Sequence, residues 1–118
     1  MAEEKNLENK VKQFLKDNGC WYVKYWGGGG YTRNGVPDLL VCCKGIFLGV
    51  ELKASNGRPS ELQLHELRMI NAAGGIAILL YPDDLNTFKN LIRAISAEKY
   101  EMAYACLDKF NERMKTYE

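Results

Sequence analysis

Gly35-Val36-Pro37-Asp38-Leu39-Leu40-Val41-Cys42-Cys43-Lys44-Gly45-Ile46-Phe47-Leu48-Gly49-Val50-Glu51-Leu52-Lys53-Ala54 is the stretch that decides the fold. Two apolar runs, Pro37 to Cys43 and Ile46 to Lys53, flank Lys44-Gly45, and the spacing predicts a hairpin closed by a two-residue turn. Facing pairs then run from Cys43–Ile46 at the turn out to Asp38–Glu51 at the open end. The two acids share a face with β-carbons about 4.5–5.5 Å apart, and Lys53, two residues on, projects from the same face. The other face carries Leu39, Val41, Ile46, Leu48, Val50 and Leu52, a continuous apolar surface. The register depends on Lys44 accepting a positive φ, and a slip of one residue would separate the acids.

Like charges directly opposite in a sheet destabilise it, and two carboxylates beside a core also resist desolvation. A cation between them reverses the sign of that term. Hard divalent ions prefer oxygen, and magnesium typically takes one or two carboxylates while keeping waters and substrate phosphate oxygens. Lys53 beside them can orient or deprotonate a water, or neutralise charge developing in a transition state. The competing reading is a buried salt bridge in which Lys53 pairs with either acid.

Outward from the hairpin, Leu7, Val11, Phe14 and Leu15 recur at helical spacing, and Asn18-Gly19 supplies a stop, so a helix is predicted over about 4–18. Cys20 to Trp26 reads as a strand, and Gly27-Gly28-Gly29-Gly30 opens a loop that continues through Gly35. After Lys53 the spacing predicts a loop over Ser55–Pro59, a helix over about 60–73, a strand over Ile76–Tyr81 and two further helices. Leu85, Phe88, Ile92 and Ile95 mark the first of these, and Ala103, Leu107, Phe110 and Met114 the second. The fold class expected is α/β, a central mixed β-sheet flanked by helices.

Several linked motifs now agree in order and spacing: Gly35-Val36-Pro37-Asp38, the hairpin, Glu51-Leu52-Lys53-Ala54, Gly57-Arg58-Pro59-Ser60 and Gln63. Together they resemble the virus-type replication-repair nuclease (VRR-NUC) domain, a branch of the PD-(D/E)XK superfamily, over about Glu8 to Leu80. The resemblance implies a restriction-endonuclease-like core and metal-dependent phosphodiester hydrolysis, leaving 5′-phosphate and 3′-hydroxyl ends. It implies Asp38 and Glu51 as metal ligands, Lys53 as the catalytic lysine, a first-helix glutamate assigned to Glu8, and Gln63 near the active site. The cofactor expected is Mg2+, with Mn2+ able to substitute.

Glu8 lies about 20° from Leu15 on a helical wheel, at the edge of the apolar stripe, from which a carboxylate can reach the sheet. Glu4 is its rival, and a solvated helix glutamate is the plain alternative. Gln63 also completes a Ser60-Glu61-Leu62-Gln63 capping box, and the two roles need not exclude each other. Lys24, Arg33 and Arg58 are the candidate DNA contacts, Arg58 as a phosphate clamp. Trp21, Val23 and Tyr25 are read as one buried strand face. His65 is read as a surface residue. The four glycines are not a phosphate-binding P-loop, since no Gly-Lys-Ser/Thr follows.

Composition agrees with one domain over 1–118, a nuclease core of about 4–97 followed by a C-terminal helix of about 98–116. No apolar run approaches the ~20 residues that span a bilayer. Four cysteines form no CxxC pair, Cys42 and Cys43 read as small core residues, and a single histidine argues against structural zinc. A reducing cytoplasm is expected, that of a bacterial host if the chain is phage-encoded. Net charge is +1, but residues 1–60 carry nine basic against six acidic side chains, and three of those acids are the candidate ligands. The function the resemblance implies is a metal-dependent DNA endonuclease selective for branched or Holliday-junction-like DNA in phage replication and repair. It is expected to act as a homodimer, for which the last helix offers one surface and packing on its own sheet the alternative. A non-catalytic nucleic-acid-binding module retaining the fold is the rival.

Overall fold

A computed structural model describes residues 2–27 and 30–118 of the chain; of the predicted glycine loop, Gly28 and Gly29 lie outside these. The elements run α1 (Ala2–Asp17), β1 (Trp21–Lys24), β2 (Leu39–Cys43), β3 (Ile46–Leu52), α2 (Glu61–Ala72), β4 (Ile76–Leu80), α3 (Leu85–Ser96) and α4 (Tyr100–Lys115). A single 3₁₀ turn, Pro82–Asp84, joins β4 to α3. The strands form one sheet in the order β1-β2-β3-β4, with two antiparallel pairings followed by a parallel one.

Lys44 and Gly45 both take left-handed backbone, φ 51° and 80°. Positive φ at both central residues matches the strands' twist, so the tight turn forms even with a lysine in its first position. The β2–β3 register follows from it: Cys43 pairs with Ile46 and Leu39 with Val50.

Because side chains alternate along a strand, this register sends Leu39, Val41, Cys43, Leu48, Val50 and Leu52 to one face. There they are buried with Leu7, Val11 and Leu15 of α1 and Phe88, Leu91, Ile92 and Ile95 of α3. The second face is only partly covered. Leu67 of α2 packs on Ala77, Leu79 and Tyr81 at the β4 side. α2 comes so close to β3 that a β-carbon on Gly49 would lie 2.6 Å from Ile70 Cδ1.

Toward β1 the second face is open, and here the predicted burial is corrected. Trp21 is 61% exposed and Val23 39%, while Tyr25 is half-buried. The face of β1 turned to α1 carries Tyr22 and Lys24 instead, and Lys24 is drawn there by an acid on that helix. Cys43 is buried as expected, but Cys42, its neighbour on the opposite face of the strand, is exposed.

Ala103 and Phe110 of α4 are buried in the main core and Met114 beneath Tyr81 and Leu67. The last helix therefore spends its apolar stripe on its own chain. Among the described residues no helix is long and apolar enough to cross a membrane.

Candidate functional site

The hairpin's open end builds the site. Continuing the β2–β3 register one step beyond Leu39–Val50 sets Asp38 opposite Glu51. Asp38 is pinned twice: its carbonyl accepts from the Tyr25 N–H at 2.8 Å, and its Oδ2 accepts from the Leu52 N–H at 2.8 Å. Lys53 remains tied to the sheet through its N–H, which donates to the Leu80 carbonyl at 3.0 Å. The acids and the lysine thus hang from ordered strand ends, which suits a site that has to hold its geometry.

Glu51 is 2% exposed. Its carboxyl lies beside Asp38, accepts from Gln63 Nε2 at 3.1 Å, and lies 3.5 Å from Lys53 Nζ. Burial first, and then the charge of Asp38, push it up to about 8, against the weaker pull of Lys53. The ion pair with Lys53 exists, but it does not compensate for the second acid.

That imbalance is what a divalent cation would correct. The donors on offer are oxygen-only carboxyls, and among the described residues no third His, Cys, Asp or Glu completes a cluster around them. Two carboxylates without a histidine or cysteine fit magnesium's ordinary coordination and fit zinc's poorly.

Gln63 reaches the site from the first turn of α2, and it also caps that helix. Its Oε1 accepts from the Ser60 N–H at 2.9 Å while its own N–H donates to Ser60 Oγ at 3.1 Å. The amide's other end is free for Glu51, so both expected roles coexist.

Glu8 is not brought to Asp38 and Glu51. It is buried on α1, as its place at the edge of the stripe implies, but its carboxylate is held by Lys5 at 3.2 Å, by Lys12 at 2.7 Å and by Lys24. Burial alone would raise its pKa; the hydrogen bonds from Lys12, Lys24 and Lys5 outweigh that and hold it down at about 2. In this structure Glu8, expected among the metal ligands, is a carboxylate bound by three lysines. Its rival Glu4 lines the same shallow surface depression, together with Trp26.

A model of the archaeal Holliday junction resolvase (Hjc) family matches residues 2–97. The chain belongs to this family.

Hjc resolvases are metal-dependent Holliday-junction nucleases of the PD-(D/E)XK superfamily, so the superfamily and the restriction-endonuclease-like fold stand as the sequence implied. The branch shown is Hjc, not VRR-NUC. Comparison with curated proteins and with solved structures gave no match. The Hjc match ends before α4 begins.

Within this Hjc chain the three candidate DNA contacts already have partners. Lys24 bonds Glu8 and lies 5.0 Å from the Trp26 ring centre. Arg33 pairs with Glu66 of α2 through both ends of the carboxylate, Nε to Oε1 at 2.7 Å and a terminal nitrogen to Oε2 at 2.9 Å. Arg58 lies over the Tyr117 ring at 5.5 Å. His65 is exposed on α2, as expected. Glu66 and Tyr117 carry no local signal that could have found them, since each meets its partner across a long sequence separation. Arg33–Glu66 fastens the loop before Asp38 onto α2, which helps to hold that aspartate in place.

Proposed function

We propose that this Hjc-family chain is a Mg2+-dependent endonuclease that resolves branched DNA, with Asp38, Glu51 and Lys53 as its catalytic centre. The observation that supports it most is the Asp38–Glu51 pair at the hairpin's open end, where the buried Glu51 carboxyl lies beside a second acid with Lys53 Nζ 3.5 Å away. A divalent ion on Asp38 and Glu51, Mg2+ or Mn2+, would lower the pKa of an attacking water and stabilise the leaving oxygen. Lys53 Nζ, close to Glu51 Oε2, is positioned to orient that water or to neutralise charge building on the phosphate. Gln63 Nε2 keeps Glu51 in a single orientation. Cleavage leaves a 5′-phosphate and a 3′-hydroxyl.

Glu8 enters this reading as the anchor of Lys5, Lys12 and Lys24, a basic surface for the DNA backbone. Arg33 and Arg58 are the further candidate backbone contacts. The working form is a single-domain chain assembled as a homodimer, which presents two sites to the two strands of a junction. α4 buries Ala103, Phe110 and Met114 internally and leaves Tyr100, Met102 and Tyr104 exposed on its other side. A cytoplasmic protein of phage replication and repair fits the reading.

The test is cleavage of a labelled four-way junction beside flap, nicked and linear duplexes, with Mg2+ and with excess chelator. Metal-dependent cutting that favours the junction is expected, and Lys53→Ala should lower the rate by about 10²–10⁴-fold. Cutting that persists in chelator, or a Lys53→Ala enzyme within threefold of wild type, overturns the proposal.

A further inference from the structure

Lys53 is followed by a loop that the structure ties down from two directions. The Gly57 N–H donates to the Ala54 carbonyl at 2.9 Å, closing a turn directly after the lysine. From α1, Glu3 accepts from the Ser55 N–H at 2.7 Å and from its hydroxyl at 2.6 Å. From the end of β4, the buried Tyr81 hydroxyl donates to the Gly57 carbonyl at 2.8 Å. A tyrosine has a single hydroxyl proton, so the 2.7 Å contact between Tyr81 and Tyr117 has Tyr117 donating. Arg113 of α4 covers the Tyr81 ring at 4.5 Å and pairs with Asp84 at 3.2 Å, which holds the phenol in place.

Gly57 is what connects this anchor to the lysine. A β-carbon on it would sit 3.4 Å from both Cβ and Cδ of Lys53 and 3.2 Å from the Ala54 carbonyl oxygen. The bare Gly57 backbone therefore lies along the lysine's aliphatic stem. A lysine has four rotatable bonds and a high cost of ordering, so a wall along its stem removes conformations that point Nζ away from Glu51.

We propose that Tyr81, backed by Tyr117 just beyond the C-terminal helix, is a positioning residue for Lys53, acting through the Gly57 carbonyl. This rests on the nuclease reading of Lys53. It gives the C-terminal segment, which lies outside the Hjc match, a part in the chemistry: Arg113 in the last turn of α4 and Tyr117 just beyond it brace the Tyr81 phenol that holds the loop. Removing the Tyr81 hydroxyl frees Gly57 to drift without touching DNA or metal.

The experiment is single-turnover cleavage of a four-way junction at saturating enzyme, beside junction affinity in chelator and thermal melting, on the full chain. Tyr81→Phe is expected to slow cleavage about tenfold with affinity within about twofold, since an ångström of misplacement costs up to ~100-fold in rate. Gly57→Ala should do the same by crowding the Ala54 carbonyl oxygen at 3.2 Å and disturbing the turn beside the lysine, while Tyr117→Phe, which keeps the Tyr81–Gly57 bond, should cost less. Tyr81→Phe and Gly57→Ala enzymes cutting at the wild-type rate, or losing rate only in step with affinity, overturn the proposal. Lys53→Ala is the control: if it also cuts like wild type, the catalytic reading of Lys53 itself fails. A dead Lys53→Ala beside a fully active Tyr81→Phe removes only the positioning role.

Discussion

Gln63 divides its side-chain amide between two neighbours: Oε1 completes the cap of α2 on Ser60, and Nε2 donates to Glu51 Oε2 at 3.1 Å. A helix start and an active-site carboxyl are thereby held by one residue, so the register of α2 on the sheet and the orientation of Glu51 are set together.

The two functions separate by mutation. Ser60→Ala removes the hydroxyl that accepts from Gln63 N–H and should cost about 0.5–2 kcal/mol of stability. It leaves the bond to Glu51, so cleavage at a temperature where the protein is folded should stay close to wild type. Gln63→Ala should show a similar loss of stability and a clear loss of rate. Urea melts and junction cleavage on both variants decide it; equal rates in the two variants would mean that Gln63 is a cap alone.

Glu51 makes a pH prediction for the metal-free protein. Its folded pKa of about 8 lies above the ordinary 4.5, so the folded state binds the extra proton between those values. Stability from this group is present below pH 4.5 and is lost as pH rises through 8. In chelator, wild type should weaken across that window relative to Glu51→Gln, which has no proton to lose. Chemical denaturation of both proteins over that range is the measurement, and a difference that does not change with pH contradicts the buried-pair geometry.

Glu8 predicts the opposite slope in acid. Its pKa is depressed to about 2, so its contribution is present above pH 4.5 and disappears as pH falls through 2. Glu8→Gln should be less stable than wild type at neutral pH, and the gap should close on acidification. Because the lysines already occupy its carboxylate, the variant should keep the wild-type stabilisation by Mg2+. Losing that stabilisation would return Glu8 to the metal.

Much of this arrangement was legible because β-structure has a period of two: once Lys44-Gly45 is the turn, Asp38, Glu51 and Lys53 have to share a face. Gln63 was legible for a similar reason, its three-residue spacing from Ser60. β1 was not, because both of its faces carry aromatic residues and alternation alone does not say which is inward. The deciding interaction is between Lys24 and Glu8 of α1, a tertiary pairing. The destination of Glu8 was hidden for the same reason: a wheel gives the side of the helix, not which cations wait there. Tyr81, Gly57 and Tyr117 meet across three separate elements, and the sequence marks none of them as neighbours.

The most direct measurement is the response of folding stability to Mg2+ in wild type and Glu51→Gln, without DNA, near pH 8. If Asp38 and Glu51 hold the ion, wild type should gain about 1.4 kcal/mol at ten times the dissociation constant. Glu51→Gln should gain far less, and in chelator it should melt at or above the wild-type temperature, because it no longer carries a buried acid beside Asp38. A wild type indifferent to Mg2+, together with a Glu51→Gln protein that melts lower in chelator, would make Glu51 the partner of Lys53 in a structural ion pair and contradict the metal centre.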